Sequence, residues 1–160
     1  MVSGACISSC AQYLLPAAKT VTILPKSVVA FHGNSYGISK LDGFRIDRVS
    51  NAQEVVANAE KAEQLYKASG VSTKLLSEAT RVVYPYCVRY SVSAADIFSK
   101  TDFWIPTREF LRELGLNVQG YWPTQSDVAS VVALHFPPTR KVYFGPPPPA
   151  SMRLPPLTSC

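Results

Sequence analysis

Hydrophobic positions recur with helical spacing in four places along the chain. In residues 51–70 (NAQEVVANAEKAEQLYKASG), Val55, Val56, Ala59, Ala62 and Leu65 fall on one face, and Gly70 follows the last turn as a stop. In residues 72–83 (STKLLSEATRVV), Ser72 is a capping residue and Leu75, Leu76, Ala79 and Val82 share a face, so the two segments predict a helical hairpin. Residues 106–115 (PTREFLRELG) place Pro106 in a first turn, bury Phe110, Leu111 and Leu114, and end on Gly115. Residues 8–18 (SSCAQYLLPAA) start on serine and run through good helix formers until Pro16 bends or ends the helix. Between these lie extended runs. TVTIL and SVVAFH, over about residues 20–32, are separated by Pro25 and Lys26, and a further strand is expected over about 116–122. Residues 33–50 read as a loop rich in Gly, Ser and Asn. The pattern is that of an α/β protein.

From Pro137 onward eight of the remaining twenty-four residues are proline. This composition predicts a domain over residues 1–136 followed by an extended, disordered, polyproline-like tail over 137–160. The run GPPPPASMRLPPL in that tail suits an aromatic groove, with Arg153 as a charge contact, or else is a solvated extension without a partner. The chain has 160 residues, 47% of them hydrophobic and 17% charged, as expected of a folded core. Its net charge of +5 comes from basic residues scattered singly, which argues against a nucleic-acid stripe. No apolar run reaches the length of a membrane span. The first basic residue, Lys19, lies behind the first apolar stretch, not ahead of it as in a secretory signal.

Four unevenly spaced cysteines do not read as a disulfide scaffold, and with only His32 and His135 besides them no metal site and no cofactor is predicted. Cys6 and Cys10 form the one close pair. A disulfide between them would pin the entry to the first helix across a tight gap; two small buried hydrophobes would fit as well. Cys10 as a thiol nucleophile is a third reading. Cys87 and Cys160 look isolated, one in the core and one in the tail.

A serine at the start of a helix is either an N-cap or a nucleophile placed where the first-turn N–H groups face a developing negative charge. The order of the stretches GACISSCAQYLL and ILPKSVVAFHG bears on this choice. A Gly-x-x-x-Ser helix start followed by a Leu-Pro-x-Ser strand ending in histidine resembles the active-site segment of the Clp protease proteolytic subunit and the wider Clp/crotonase superfamily. The C-x-S-x-C bracket is most similar to that of small, often exported bacterial Clp-like proteins. The resemblance covers residues 4–33 densely. It implies a partial Clp/crotonase-like fold of ββα superhelix units, with Ser8 as nucleophile, His32 as base and the Ser9 backbone N–H as an oxyanion donor. It places Asp102 as the acid, ahead of the helix leading to Gly115, with Asp96, Asp42 and Asp47 as rivals. His135, beside Phe136 and Pro137, is a poor base by comparison.

The implied activity is that of a serine hydrolase acting on peptide bonds of a peptide or protein substrate, in a homo-oligomer, without a cofactor. An acyl-CoA reaction of the crotonase type ranks below it. Exported relatives point to the periplasm, and a cytoplasmic location stays open. Because the chain starts seven residues ahead of Ser8, the upstream strands and Gly-rich turn of such a domain are expected to be missing. That favours a second reading, a truncated non-catalytic remnant serving as a binding or assembly module.

Overall fold

A computed structural model describes residues 1–91, 95–149, 151–152 and 154–160. Among them the chain forms six α-helices and nine strands in small sheets, a mixed α/β protein. In chain order the first part consists of β1 (Ala5–Ile7), a π-helical turn (Cys10–Leu14), α1 (Leu15–Ala17), β2 (Val21–Ile23) and β3 (Val28–Ala30). Next come α2 (Ser35–Ser39), a 3-10 turn (Ile46–Arg48), α3 (Ala52–Ser69) and α4 (Lys74–Val83). The last part holds β4 (Pro85–Tyr90), β5 (Ala95–Ser99), β6 (Phe103–Ile105), α5 (Arg108–Glu113), β7 (Val118–Gly120), α6 (Val128–His135), β8 (Val142–Phe144) and β9 (Thr158–Ser159).

Three parallel pairs, β7 with β2, β1 with β3, and β6 with β8, are joined edge to edge by single bridges. Val2 meets Ile23, and Phe31 meets Trp104. The middle of this array is covered on both faces, so β3 reads as an unbroken apolar run; Val28 through Phe31 are all 1% exposed or less. The expected helices over 51–70, 72–83 and 106–115 form, with ends shifted by at most two residues. Gly70 at φ 71° closes α3; Thr73 stands directly ahead of α4 without a side-chain bond, while the Ser72 hydroxyl accepts the Lys74 N–H at 3.3 Å; and Thr107 rather than Pro106 leads α5, its hydroxyl accepting the Phe110 N–H. The segment 33–50, expected as loop, contains α2. The Asn34 side chain accepts the Gly37 N–H at 2.8 Å and donates to the Leu76 carbonyl, a cap whose apolar follow-up was too short to show a period.

The first helix departs furthest from expectation. Pro16 has no N–H to give to the Gln12 carbonyl, and that carbonyl instead accepts the buried Tyr66 hydroxyl at 2.9 Å. With the ladder broken there, the Leu15 N–H reaches back five residues to Cys10 and the turn widens to π. Burial raises the Tyr66 phenol well above its ordinary pKa, so the hydroxyl stays a donor.

The proline-rich segment also differs from the extended tail that its composition suggests. Strand β8 pairs with β6, β9 pairs with β4, and Cys87 is disulfide-bonded to Cys160 across a separation of 73 residues. The Trp104 indole N–H donates to the Gly145 carbonyl at 2.9 Å, Arg81 donates to the carbonyls of Pro148 and Pro149, and Leu157 is buried. Proline cannot donate within a sheet, but its carbonyl still accepts, and here Arg81 supplies the donors while Trp104 holds the glycine ahead of the proline run. Gly43 completes the seat: at φ +86° its Cα lies so close to the Leu157 carbonyl that an added Cβ would sit 2.1 Å from that oxygen. Arg153, named above as a charge contact, lies outside the described residues.

Candidate functional site

Strand β1 ends at Ile7, and Ser8 turns the chain into the following helix with φ 59°, a left-handed conformation. For a residue bearing a Cβ this costs roughly 1–2 kcal/mol, so the surroundings must hold it there. Neither serine is a plain cap: Ser9 makes no side-chain bond to the turn, and the Ser8 hydroxyl points away from it. The Ser8 Oγ–H donates instead to His32 Nε2 at 2.8 Å. Both side chains are half-buried.

His32 follows directly from β3 and Phe31. Its Nδ1 faces the Gly33 carbonyl, which can only accept; Nδ1 therefore carries the proton and Nε2 presents its lone pair to Ser8. The His32 carbonyl accepts the Gln12 side-chain N–H at 2.8 Å, and Gln12 is 2% exposed. Thus the turn that carries Ser8 also holds the backbone of the base, and Tyr66 anchors that turn from α3. Phe103 packs edge-on to the imidazole, with ring centroids 6.0 Å apart. The Ser9 N–H lies at the very start of the turn, ahead of its first backbone bonds, Gln12 to Ser8 and Leu15 to Cys10.

Asp102 lies in the same neighbourhood, but its carboxylate is not on His32. One oxygen takes the Arg140 guanidinium at 3.2 Å and the other takes the Lys141 N–H at 2.8 Å. The position at Nδ1 that the expected acid would fill is held by Gly33. Of the rivals, Asp47 pairs with Arg45, whose bond holds its carboxyl below the usual range, and Asp96 sits in β5 opposite Arg89. Asp42 contributes only its backbone carbonyl, to Leu157. His135 bonds to the Lys26 carbonyl at 2.7 Å, on the turn between β2 and β3. Beside His32 opens a cleft of about 310 Å³ with Ile38, Val83, Ile97 and Phe103 among its walls and Asp102 and Arg140 at its rim.

This geometry carries a prediction. Asp102→Asn is expected to lower the rate of any reaction at Ser8 by less than about tenfold in steady-state assay. Amidation of a carboxylate that orients the imidazole would cost roughly ten-thousandfold.

One feature escaped the sequence reading. Gln12 is an unremarkable residue among helix formers, and only its burial marks it. The Cys6–Cys10 disulfide, one of the three readings of that pair, is formed, with a Cα separation of 5.1 Å. Among the described residues no cysteine is free, no group of His, Cys, Asp and Glu could hold a metal, and no helix is long and apolar enough to cross a membrane. No family model, no curated protein and no solved structure matches the chain.

Proposed function

We propose that the protein is a serine hydrolase of the Clp-like type, acting on peptide bonds, with Ser8 as nucleophile and His32 as general base. The observation that carries this reading is the 2.8 Å bond between Ser8 Oγ and His32 Nε2, made by a serine in a left-handed turn. His32 takes the hydroxyl proton as Ser8 attacks a carbonyl and returns it to the leaving amine. Gly33, rather than a carboxylate, fixes the tautomer, and the Ser9 N–H faces the developing oxyanion. Two disulfides suit an oxidising compartment, which supports an exported protein, and assembly as a homo-oligomer rests on the resemblance alone.

One observation favours the second reading, a non-catalytic binding module: among the described residues no carboxylate supports the imidazole. A fluorophosphonate probe followed by intact mass separates the two. The hydrolase is expected to take up one probe, mapped to Ser8, with labelling of His32→Gln slowed by about a hundredfold or more. Absence of labelling at Ser8 in the oxidised wild-type chain would establish the binding module.

A further inference from the structure

The disulfide and the serine are one construction. Cys6 lies in β1, 1% exposed, and is fixed opposite Val29 by the register with β3. Cys10, half-buried, is the first residue of the π-helical turn. Their bond closes a ring of five residues with Ser8 at its midpoint, and Ser8 is the residue held at φ 59°. Two weaker ties act on the same residue: its carbonyl accepts the Gln12 N–H at 2.9 Å, and its hydroxyl reaches His32. Neither fixes the distance between the end of β1 and the start of the turn. Only the covalent bond does, and without it a five-residue link has room to relax to negative φ, swinging Oγ off the imidazole.

We propose that the Cys6–Cys10 disulfide is the positioning element for Ser8, so that the serine is reactive when the bond is intact and loses reactivity when a dithiol reduces it. The inference rests on Ser8 being the nucleophile proposed above. One thiolate of the dithiol attacks the Cys10 sulfur, the more accessible of the two, and Cys6 leaves as a thiolate. The second thiol of the reductant then displaces Cys10, the reductant closing to its own disulfide. Two electrons and two protons pass to the protein, leaving two thiols, and re-oxidation reverses the change.

The test uses the full chain carrying Cys87→Ser and Cys160→Ser, in which the reductant can act on Cys6–Cys10 alone. The rate of fluorophosphonate labelling is measured before and after dithiothreitol and again after re-oxidation, with circular dichroism recorded on each sample. Reduction is expected to slow labelling by about tenfold to a hundredfold, the span that release of one strained residue allows, with re-oxidation restoring the rate and the spectrum unchanged. In the otherwise native chain, Cys6→Ala with Cys10→Ala is expected to label slowly with or without reductant. This second comparison decides the matter if the first variant does not fold. Equal rates in oxidised and reduced protein, or a native rate in the double alanine variant, would overturn the positioning role while leaving Ser8 as nucleophile. Failure of the oxidised wild-type chain to label overturns the nucleophile itself, and the positioning role with it.

Discussion

Ser8→Ala is expected, under the proposed function, to lower peptide hydrolysis by about a thousandfold or more, since loss of the proposed nucleophile removes the covalent route and leaves only binding and oxyanion stabilisation. Thermal unfolding distinguishes this from a general loss of structure. The backbone at position 8 stays left-handed, so alanine there keeps the strain and loses one half-buried hydrogen bond, and stability should change little. Ser8→Gly sharpens the contrast. Glycine adopts positive φ without penalty, so this variant is expected to be equally inactive yet more stable than alanine at the same position by about 1 kcal/mol, read from the unfolding midpoint. Under the proposed function, a serine that costs stability where glycine would serve is there for its hydroxyl. If Ser8→Gly instead melts well below Ser8→Ala, position 8 is not strained and that argument fails.

Trp104→Ala is expected to destabilise the protein by about 3–5 kcal/mol, with a fall in the unfolding midpoint on the order of 10 °C. Trp104 is fully buried, packs against Phe31 and Phe110, exchanges backbone hydrogen bonds with Phe31, and donates its indole N–H to the Gly145 carbonyl. It therefore joins the strand that delivers His32 to the segment that follows β8. Trp104→Phe separates the contributions. It keeps most of the packing but leaves the Gly145 carbonyl without its donor, and should cost less than half as much. The measurement is the denaturation midpoint of both variants; a loss below 1 kcal/mol for alanine would place Trp104 outside the core.

Where local pattern and tertiary demand agree, the elements could be read from the residues. Helices α3, α4 and α5 carry apolar periods, and strands β2, β3 and β7 lie inside longer extended runs set off by Gly or Pro, so their positions follow. The juxtaposition of positions 8 and 32 was accessible through resemblance and through the order of helix, turn and strand. Other features had no local signature. Three-residue strands such as β1, β6 and β8 are too short to show alternation, and they exist because distant chain pairs with them. The proline-rich segment is organised by donors from Trp104 and Arg81, which no window around residue 145 contains. The four cysteines pair because their strands and turns meet, a fact that spacing alone does not encode. The role expected of Asp102 fails on the same ground, since Arg140 and Lys141 reach its carboxylate from a segment that sequence order places far away.

The pairing of β1 with β3 has a kinetic consequence. β2 waits for β7 and β4 waits for β9, partners reached only after long stretches of chain, whereas β1 and β3 are joined across a register offset of twenty-three residues. Closing that short loop costs the least entropy of the parallel pairings, and it is the step that brings the serine and the imidazole together. The Ser8–His32 pair can thus assemble as an early local unit, ahead of the remaining sheet. The Val28 amide, bonded to the Gly4 carbonyl, should gain protection from hydrogen exchange during refolding before that of Tyr121, bonded to the Ile23 carbonyl.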